Sequence, residues 1–206
     1  MTGPRYAELH EIRGFRVVVD NSRPDIATDD VLERLDEAIV LLDRYQPWRM
    51  RHLRRDLAQF LVVRYPCRGA YLPAERTIVT ELTFLARRDI SAAPVASSIL
   101  HEGVHARVDR MRLRLGLAGG AHDAAREERL CRRTELAFGR VLPAELGAPV
   151  VERALASLAL EDAERIQNCR VRQIRVRQSF QHLGRARRSL PPDDVHKPEF
   201  GIRQGR

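Results

Sequence analysis

Two histidines one helical turn apart, in the segment SSILHEGVHAR at residues 97–107, restrict the folds open to this chain. Residues 91–115 read as one long helix, because Pro94 suits a first helical turn and Gly116 follows the last apolar residue. On that helix His101 and His105 stand at positions i and i+4, so both imidazoles project from one face and can reach a single metal ion. Glu102 lies about 100° around the helix, where it can reach a group on that ion without binding the ion.

The apolar residues of the same helix place these histidines at the border of its buried face. The predicted stripe lies about 80–100° from the histidines, on the side away from Glu102, and consists of Leu100, Val104, Val108, Met111 and Leu115. The sequence therefore predicts that His101 and His105 line a cleft. The alternative is a pair of ordinary, partly buried histidines, but the strands before the motif and the glutamate-containing helix after it favour a metal site.

The rest of the chain predicts an α+β fold in one small domain. Short runs rich in β-branched residues predict strands at 15–20, 59–65 and 76–82, and residues 66–73, PCRGAYLP, are predicted as a loop. Helical spacing predicts further helices at 28–45, 123–142 and 150–169, with Pro143 ending the second of these. The pattern is a short N-terminal β-sheet followed by a helical half that carries the motif helix.

The charge of the chain is concentrated near its carboxyl end. The net charge is +8, and residues 165–206 account for all of the excess, with 11 basic and 3 acidic side chains. We therefore divide the chain into a domain at residues 1–170 and a basic tail at 171–206. The tail is interpreted as a solvated helix with an unstructured end, and the alternative is a contact for nucleic acid or another acidic partner.

Cysteine content and hydropathy indicate a reduced compartment. Cys67, Cys131 and Cys169 are an odd number without C-x-x-C spacing, which predicts buried, reduced thiols and neither a disulfide framework nor a cysteine-based zinc site. No apolar run approaches the length of a membrane span, and the first residues lack the pattern of a secretory signal. These features predict a cytoplasmic protein with no membrane partner.

The motif resembles that of the H-E-x-x-H zinc metallopeptidases, and specifically the gluzincin type. Residues 126–143, REERLCRRTELAFGRVLP, look like the gluzincin helix that supplies a third, glutamate ligand. The chain is also similar to small bacterial zincin-like proteins in which H-E-G-x-H-A-R is followed by R-x-E-x-x-C, here Arg126, Glu128 and Cys131. The resemblance covers roughly residues 76–143 and implies a zincin-like domain with one Zn²⁺ per chain.

Three glutamates compete for the third ligand position. The predicted apolar stripe of the return helix is Leu130, Thr134, Ala137, Phe138 and Val141. Glu127 points near the centre of that stripe and is disfavoured, whereas Glu128 and Glu135 lie about 90–110° to one side, and the helical rise alone does not separate them. The resemblance to the R-x-E-x-x-C pattern favours Glu128, with Cys131 as a small residue one turn further on.

The resemblance also implies a reaction and a substrate. Zinc held by His101, His105 and Glu128 would activate water, and Glu102 would act as the general base in cleavage of a peptide or protein substrate. Residues 76–82 resemble the edge strand along which such enzymes pair an extended peptide, with a plain structural strand as the alternative. Asp109 is interpreted as either a carboxylate behind the metal ligands or a surface ion-pair partner, and the candidates for a transition-state stabiliser are Tyr71, His122 and His182.

Overall fold

A computed structural model of the protein describes residues 7–117 and 123–160, and those residues form a five-stranded mixed sheet with six helices. The strands are β1 (Glu8–Ile12), β2 (Phe15–Asp20), β3 (Gln59–Val63), β4 (Gly69–Leu72) and β5 (Thr77–Glu81). The helices are α1 (Thr28–Tyr45), α2 (Pro47–Asp56), α3 (Leu82–Leu85), α4 (Ala93–Arg114), α5 (Ala124–Val141) and α6 (Ala144–Ala159). This mixed α/β architecture agrees with the predicted α+β class.

The sheet has the strand order β1-β2-β3-β5-β4, and its central strands are parallel. Strands β2 and β3 are parallel because α1 and α2 cross between them, and β3 is also parallel to β5. The outer pairs, β1 with β2 and β4 with β5, are antiparallel. The five strands lie in the N-terminal half of the chain, as predicted. Two helices, α1 and α2, lie between β2 and β3 in the sequence.

Two strands of the sheet were not predicted, β1 at Glu8–Ile12 and β4 at Gly69–Leu72. The strand at 76–82 was interpreted as either a peptide-binding edge strand or a plain structural strand, and the structure supports the second interpretation, because β5 is internal and pairs with β3 on one side and β4 on the other. At this end of the sheet the terminal strand is β4, which lies within the predicted loop at residues 66–73. The turn after Leu72 allows this short segment to fold back and pair Tyr71 with Ile78 in an antiparallel register.

The main core lies between one face of the sheet and the helices. Alternate residues of β2 and β3, such as Val17, Val19 and Phe60, pack with α1 and with the first half of α4. Helix α4 also contacts α2, β4 and α5, so its first half is buried on several sides. A second, smaller apolar cluster contains Leu61 and Val79, whose side chains point to the other face of the sheet.

The helix boundaries near the motif agree closely with the prediction, but the buried faces do not. Helix α4 ends at Arg114 and Gly116 follows, as expected. The C-terminal end of its predicted stripe is wrong, because Met111 and Leu115 are exposed, Leu115 by 67%. The packing of α4 is thus concentrated in its first four turns, where the histidines lie.

Helices α5 and α6 form an antiparallel pair that carries one wall of the candidate site. Pro143 separates them, as predicted, and α6 begins at Ala144 rather than near residue 150. The two helices approach closely at Gly139 and Gly147, where a Cβ added to Gly147 would lie 2.2 Å from the carbonyl oxygen of Gly139. The predicted continuation of α6 to residue 169 and the basic tail at 171–206 lie outside the described residues.

Candidate metal centre

Helix α4 brings the two motif histidines together at the interface with α5. The Nε2 atoms of His101 and His105 are 3.3 Å apart, and the His101 side chain is only 4% exposed. The histidines were expected at the edge of the buried face, and His105 fits that description, whereas His101 is deeper than predicted. The i, i+4 spacing therefore produces the predicted convergence of two imidazole nitrogens.

Glu128 of α5 faces both of these nitrogens. Its Oε1 lies 3.2 Å from Nε2 of His105, and its Oε2 lies 3.5 Å from Nε2 of His101. Helices α4 and α5 run antiparallel, which brings the start of α5 opposite the second half of the motif. Glu128, the glutamate favoured among the three candidates, therefore lies beside both Nε2 atoms.

The other two glutamates bind the opposite side of each imidazole ring. Nδ1 of His101 is 2.6 Å from Oε1 of Glu135, and Nδ1 of His105 is 2.5 Å from Oε1 of Glu127. An ionised carboxylate only accepts hydrogen bonds, so each Nδ1 carries the proton and each Nε2 of a neutral ring has its lone pair directed at the shared point. Carboxylates behind the histidines are typical of protein metal sites, where they fix the ring orientation.

Cys131 completes the group from one turn further along α5. Its Sγ is 3.6 Å from Nε2 of His105, and the residue is fully buried. One nitrogen of His101, one of His105 and this sulfur all lie within 4.8 Å of one another, so the group could hold a metal ion. The sequence analysis treated Cys131 only as a small residue, although its i+3 spacing from Glu128 places both side chains on one helical face.

The separations of these donor atoms fit a tetrahedral zinc site. Two Zn–N bonds of about 2.0–2.1 Å at the tetrahedral angle place their nitrogens about 3.3 Å apart, and one Zn–S bond of about 2.3 Å places sulfur about 3.5 Å from such a nitrogen. The protein has 3.3 Å between the two Nε2 atoms and 3.6 Å between Sγ and Nε2 of His105. These two separations are therefore compatible with a metal ion held by His101, His105 and Cys131.

The charges around the histidines favour cations at this point. Burial alone would lower the pKa of His101, but electrostatic interaction with Cys131 and hydrogen bonds with Glu128 and Glu135 outweigh burial and raise that pKa to about 10. The pKa of His105 is also raised well above its ordinary value, since burial is outweighed by Cys131 and two glutamates. Without a metal, the site holds protons where a metal would otherwise bind.

The buried carboxylates are held ionised by their partners. Burial alone would raise the pKa of Glu128, but hydrogen bonds from His101 and His105 lower it far below its ordinary value. The pKa of Glu135 is likewise lowered, because His101 and the nearby Arg132 favour its charged form over the effect of burial. Nη1 of Arg132 donates to Oε1 of Glu135 at 2.8 Å, so the carboxylate behind His101 is itself fixed.

Glu102 lies on a different side of α4, against the edge strand. It is buried, and a Cβ added to Gly69 of β4 would lie 3.3 Å from its Cγ and 3.0 Å from Oγ of Ser98. In the described part of the chain no side chain donates a hydrogen bond to the Glu102 carboxylate. Its charge nevertheless contributes to the raised pKa of His101, so it lies near the metal-binding group without occupying it.

Two further candidates from the sequence analysis, Tyr71 and Asp109, contact each other. Tyr71 is on β4, and its hydroxyl donates to Oδ2 of Asp109 at 3.3 Å. Burial, followed by the charge of Asp109, raises the pKa of Tyr71, so the phenol stays protonated. Asp109 thus accepts a hydrogen bond from Tyr71 rather than from a metal-binding histidine, while His122 and His182 lie outside the described residues.

The prediction of the apolar face of α5 is largely wrong. Leu130, Ala137 and Val141 are exposed, while the buried face carries Glu128, Cys131 and Glu135 together with Thr134 and Phe138. Glu128 and Glu135 can occupy the buried face because each faces His101 across the helix interface, and Glu135 also pairs with Arg132 on its own helix. Glu127, which was placed at the centre of the apolar stripe, instead flanks this face and binds His105.

No family model, curated protein or solved structure matches the chain. The described helices include none that is both long and apolar enough to cross a membrane. The similarity to gluzincins is therefore an inference from the residues of the motif and its surroundings.

Proposed function

We propose that the chain is a zinc-dependent hydrolase, and specifically a peptidase of the H-E-x-x-H type. The observation that carries this proposal is the convergence of two Nε2 atoms and the Glu128 carboxylate, with a carboxylate on each opposite Nδ1 atom. Accidental histidines at i and i+4 would not require a third donor or two orienting carboxylates. His101, His105 and Glu128 are the proposed ligands of one Zn²⁺ per chain.

The zinc ion and the side chains around it would have separate roles in the proposed hydrolysis. A bound zinc ion supplies Lewis-acid activation of water and of a carbonyl group. Glu102 is the proposed general base: its carboxylate oxygen accepts a proton from water and then donates it to the leaving amine. The position of Glu102 supports this role, because the side chain is buried next to His101 in the sequence and close to Gly69 of β4.

A peptide is the proposed substrate because β4, one of the two terminal strands of the sheet, runs beside Glu102. In the described residues no strand pairs with the outer side of β4, so an extended peptide can add there through main-chain hydrogen bonds. Gly69 brings the backbone of β4 close to Ser98 and Glu102. The site of action is proposed as the cytoplasm, which agrees with the absence of a disulfide at Cys67 and Cys131.

The test combines metal analysis with a peptide-library digest. The purified chain is expected to carry one zinc per chain, and Glu102→Gln is expected to keep the zinc and lose hydrolysis by about 10²–10⁴-fold. Glu145→Gln, at an exposed position on α6, is the matched control and should leave hydrolysis unchanged. Chelator-sensitive hydrolysis that persists in Glu102→Gln would reject the assigned base, and full zinc occupancy in the His101→Ala, His105→Ala double variant would reject the metal site.

Cys131 favours a second candidate, a metal-binding protein that does not hydrolyse peptides. Structural zinc sites use four protein ligands, whereas catalytic sites keep one position open. The sulfur of Cys131 lies within 4.8 Å of the histidine nitrogens and can provide that fourth ligand. Stoichiometric zinc with no cleavage in the peptide library, in either the parent or Cys131→Ala, would favour this second candidate.

A further inference from the structure

Cys131 is a buried, nucleophilic side chain that the proposed hydrolysis does not use. It is fully buried and lies 3.6 Å from the same His105 nitrogen that faces Glu128. The residue stands one turn after Glu128 on the inner face of α5, so both side chains are directed at the two histidines. A small apolar residue would fill this position without placing sulfur among nitrogen and oxygen donors.

We propose that the Cys131 thiolate is the fourth ligand of the metal centre and closes it in the resting protein. This inference rests on the metal centre of the proposed function and adds a ligand to His101, His105 and Glu128. The 3.6 Å separation from His105 matches the spacing of sulfur and nitrogen ligands on one tetrahedral zinc, about 3.5 Å. The thiolate then occupies the position that an incoming water molecule needs.

The charge of the group supports a thiolate ligand. Two neutral histidines with two anionic ligands, Glu128 and Cys131, balance a dication. A set with sulfur and imidazole donors selects zinc over the hard cations Mg²⁺ and Ca²⁺.

Closure has a direct consequence for the proposed hydrolase. A centre with four protein ligands is inactive until one of them leaves, and removal of Cys131 leaves the three-ligand arrangement of a catalytic site. Of the two cysteines that the structure describes, Cys67 lies near the opposite face of the sheet and is half-buried. It therefore offers a matched control for loss of a thiol.

Cobalt(II) spectroscopy of the full-length chain tests this arrangement. The parent for the experiment is Cys67→Ala, Cys169→Ala, in which Cys131 is the remaining thiol of the three in the sequence. We expect one cobalt per chain, a thiolate-to-cobalt charge-transfer band and the intense visible bands of a four-coordinate ion. Azide, which enters an open position, should leave this spectrum unchanged.

The variant Cys131→Ala is expected to lose the charge-transfer band and to bind cobalt at least about tenfold more weakly, since loss of even an outer-shell partner costs about 10–100-fold in metal affinity. Azide should now shift the visible bands, because a position is open. Cys131→Ser provides the same comparison with a smaller change in volume. If neither variant folds, the presence or absence of the band in the single-thiol parent decides the question.

Two results would overturn the inference while leaving a metal centre in place. One is stoichiometric cobalt without a thiolate band in the single-thiol parent, and the other is an equal response to azide in the parent and Cys131→Ala. A chain that binds no metal would overturn both this inference and the metal centre beneath it. A thiolate band with no peptide cleavage by the zinc form of either protein would instead reject the hydrolase and support the closed site.

Discussion

Metal binding and protonation compete at the same nitrogens, which predicts a steep pH dependence of metal affinity. The pKa of His101 is raised to about 10, compared with an ordinary value of 6.5. At about pH 7 a metal must displace a proton from a group whose pKa lies roughly three units above the pH. This competition lowers the apparent affinity for the metal about 1000-fold. Each rise of one pH unit should recover about tenfold for one displaced proton and up to about 100-fold if His105 also releases one.

The same linkage predicts opposite effects of pH on the stability of the metal-free and metal-loaded protein. A raised pKa stabilises the fold below the unfolded value of 6.5, and this contribution is lost as pH rises towards about 10. The lowered pKa of Glu128 stabilises the fold above its unfolded value of 4.5 and is lost as pH falls. The metal-free protein should therefore be most stable between these two ordinary values, whereas metal should stabilise it increasingly at higher pH.

Two measurements check this prediction. Competition with a chromophoric chelator between about pH 6 and pH 9, corrected for protonation of the chelator, gives the affinity slope. Thermal unfolding with zinc or with a chelator gives the stability difference at each pH. Glu127→Gln should make the affinity slope shallower, because it removes one carboxylate that raises the pKa of His105, and Glu145→Gln should not. A corrected affinity that is constant over this range would refute the reasoning.

Three further predictions concern single positions. Glu135→Gln should weaken zinc binding by about 10–100-fold, because it removes the carboxylate 2.6 Å from Nδ1 of His101. Chelator competition measures the loss, and an unchanged zinc affinity would contradict the orienting role of Glu135. Gly69→Ala should reduce peptide hydrolysis more than zinc content, since the new Cβ lies 3.0 Å from Oγ of Ser98 and 3.3 Å from Cγ of Glu102; equal losses of both would contradict a role confined to the cleft. Gly147→Ala should lower the free energy of unfolding by about 1–3 kcal/mol, because the added Cβ would lie 2.2 Å from the Gly139 carbonyl oxygen. Denaturant unfolding measures this change, and an unchanged midpoint would show that α6 can move aside without cost.

The elements nearest the motif could be predicted from the sequence because they follow local rules. Thr28, Gly116 and Pro143 stand at or next to helix ends, where local propensity determines the boundary. Strand β4 was missed because it is four residues long and begins with a glycine. Its pairing with β5 depends on tertiary contact rather than on an alternating pattern, so the identity of the edge strand could not be read from local sequence.

The inward face of α5 was mispredicted for a different reason. Apolar periodicity selected Leu130 and Val141, which are exposed, and overlooked the charged face that is buried. Periodicity identifies a core only when burial is driven by apolar area. On α5 it is driven in part by pairing of Glu128 and Glu135 with the histidines of α4, and apolarity does not report such pairs.

The buried charges of the site connect its metal-free and metal-loaded forms. Burying ions costs several kcal/mol each unless they are paired, and Glu128 and Glu135 lie in a protein whose core is otherwise apolar. In the metal-free protein the raised pKa values place positive charge on His101 and His105, which balances these carboxylates. Replacing two imidazolium protons by one dication leaves the summed charge of the two histidines, their carboxylate partners and the ion unchanged. The same buried carboxylates can therefore stabilise the fold before metal arrives and hold the metal afterwards, with exchange between the two states controlled by pH.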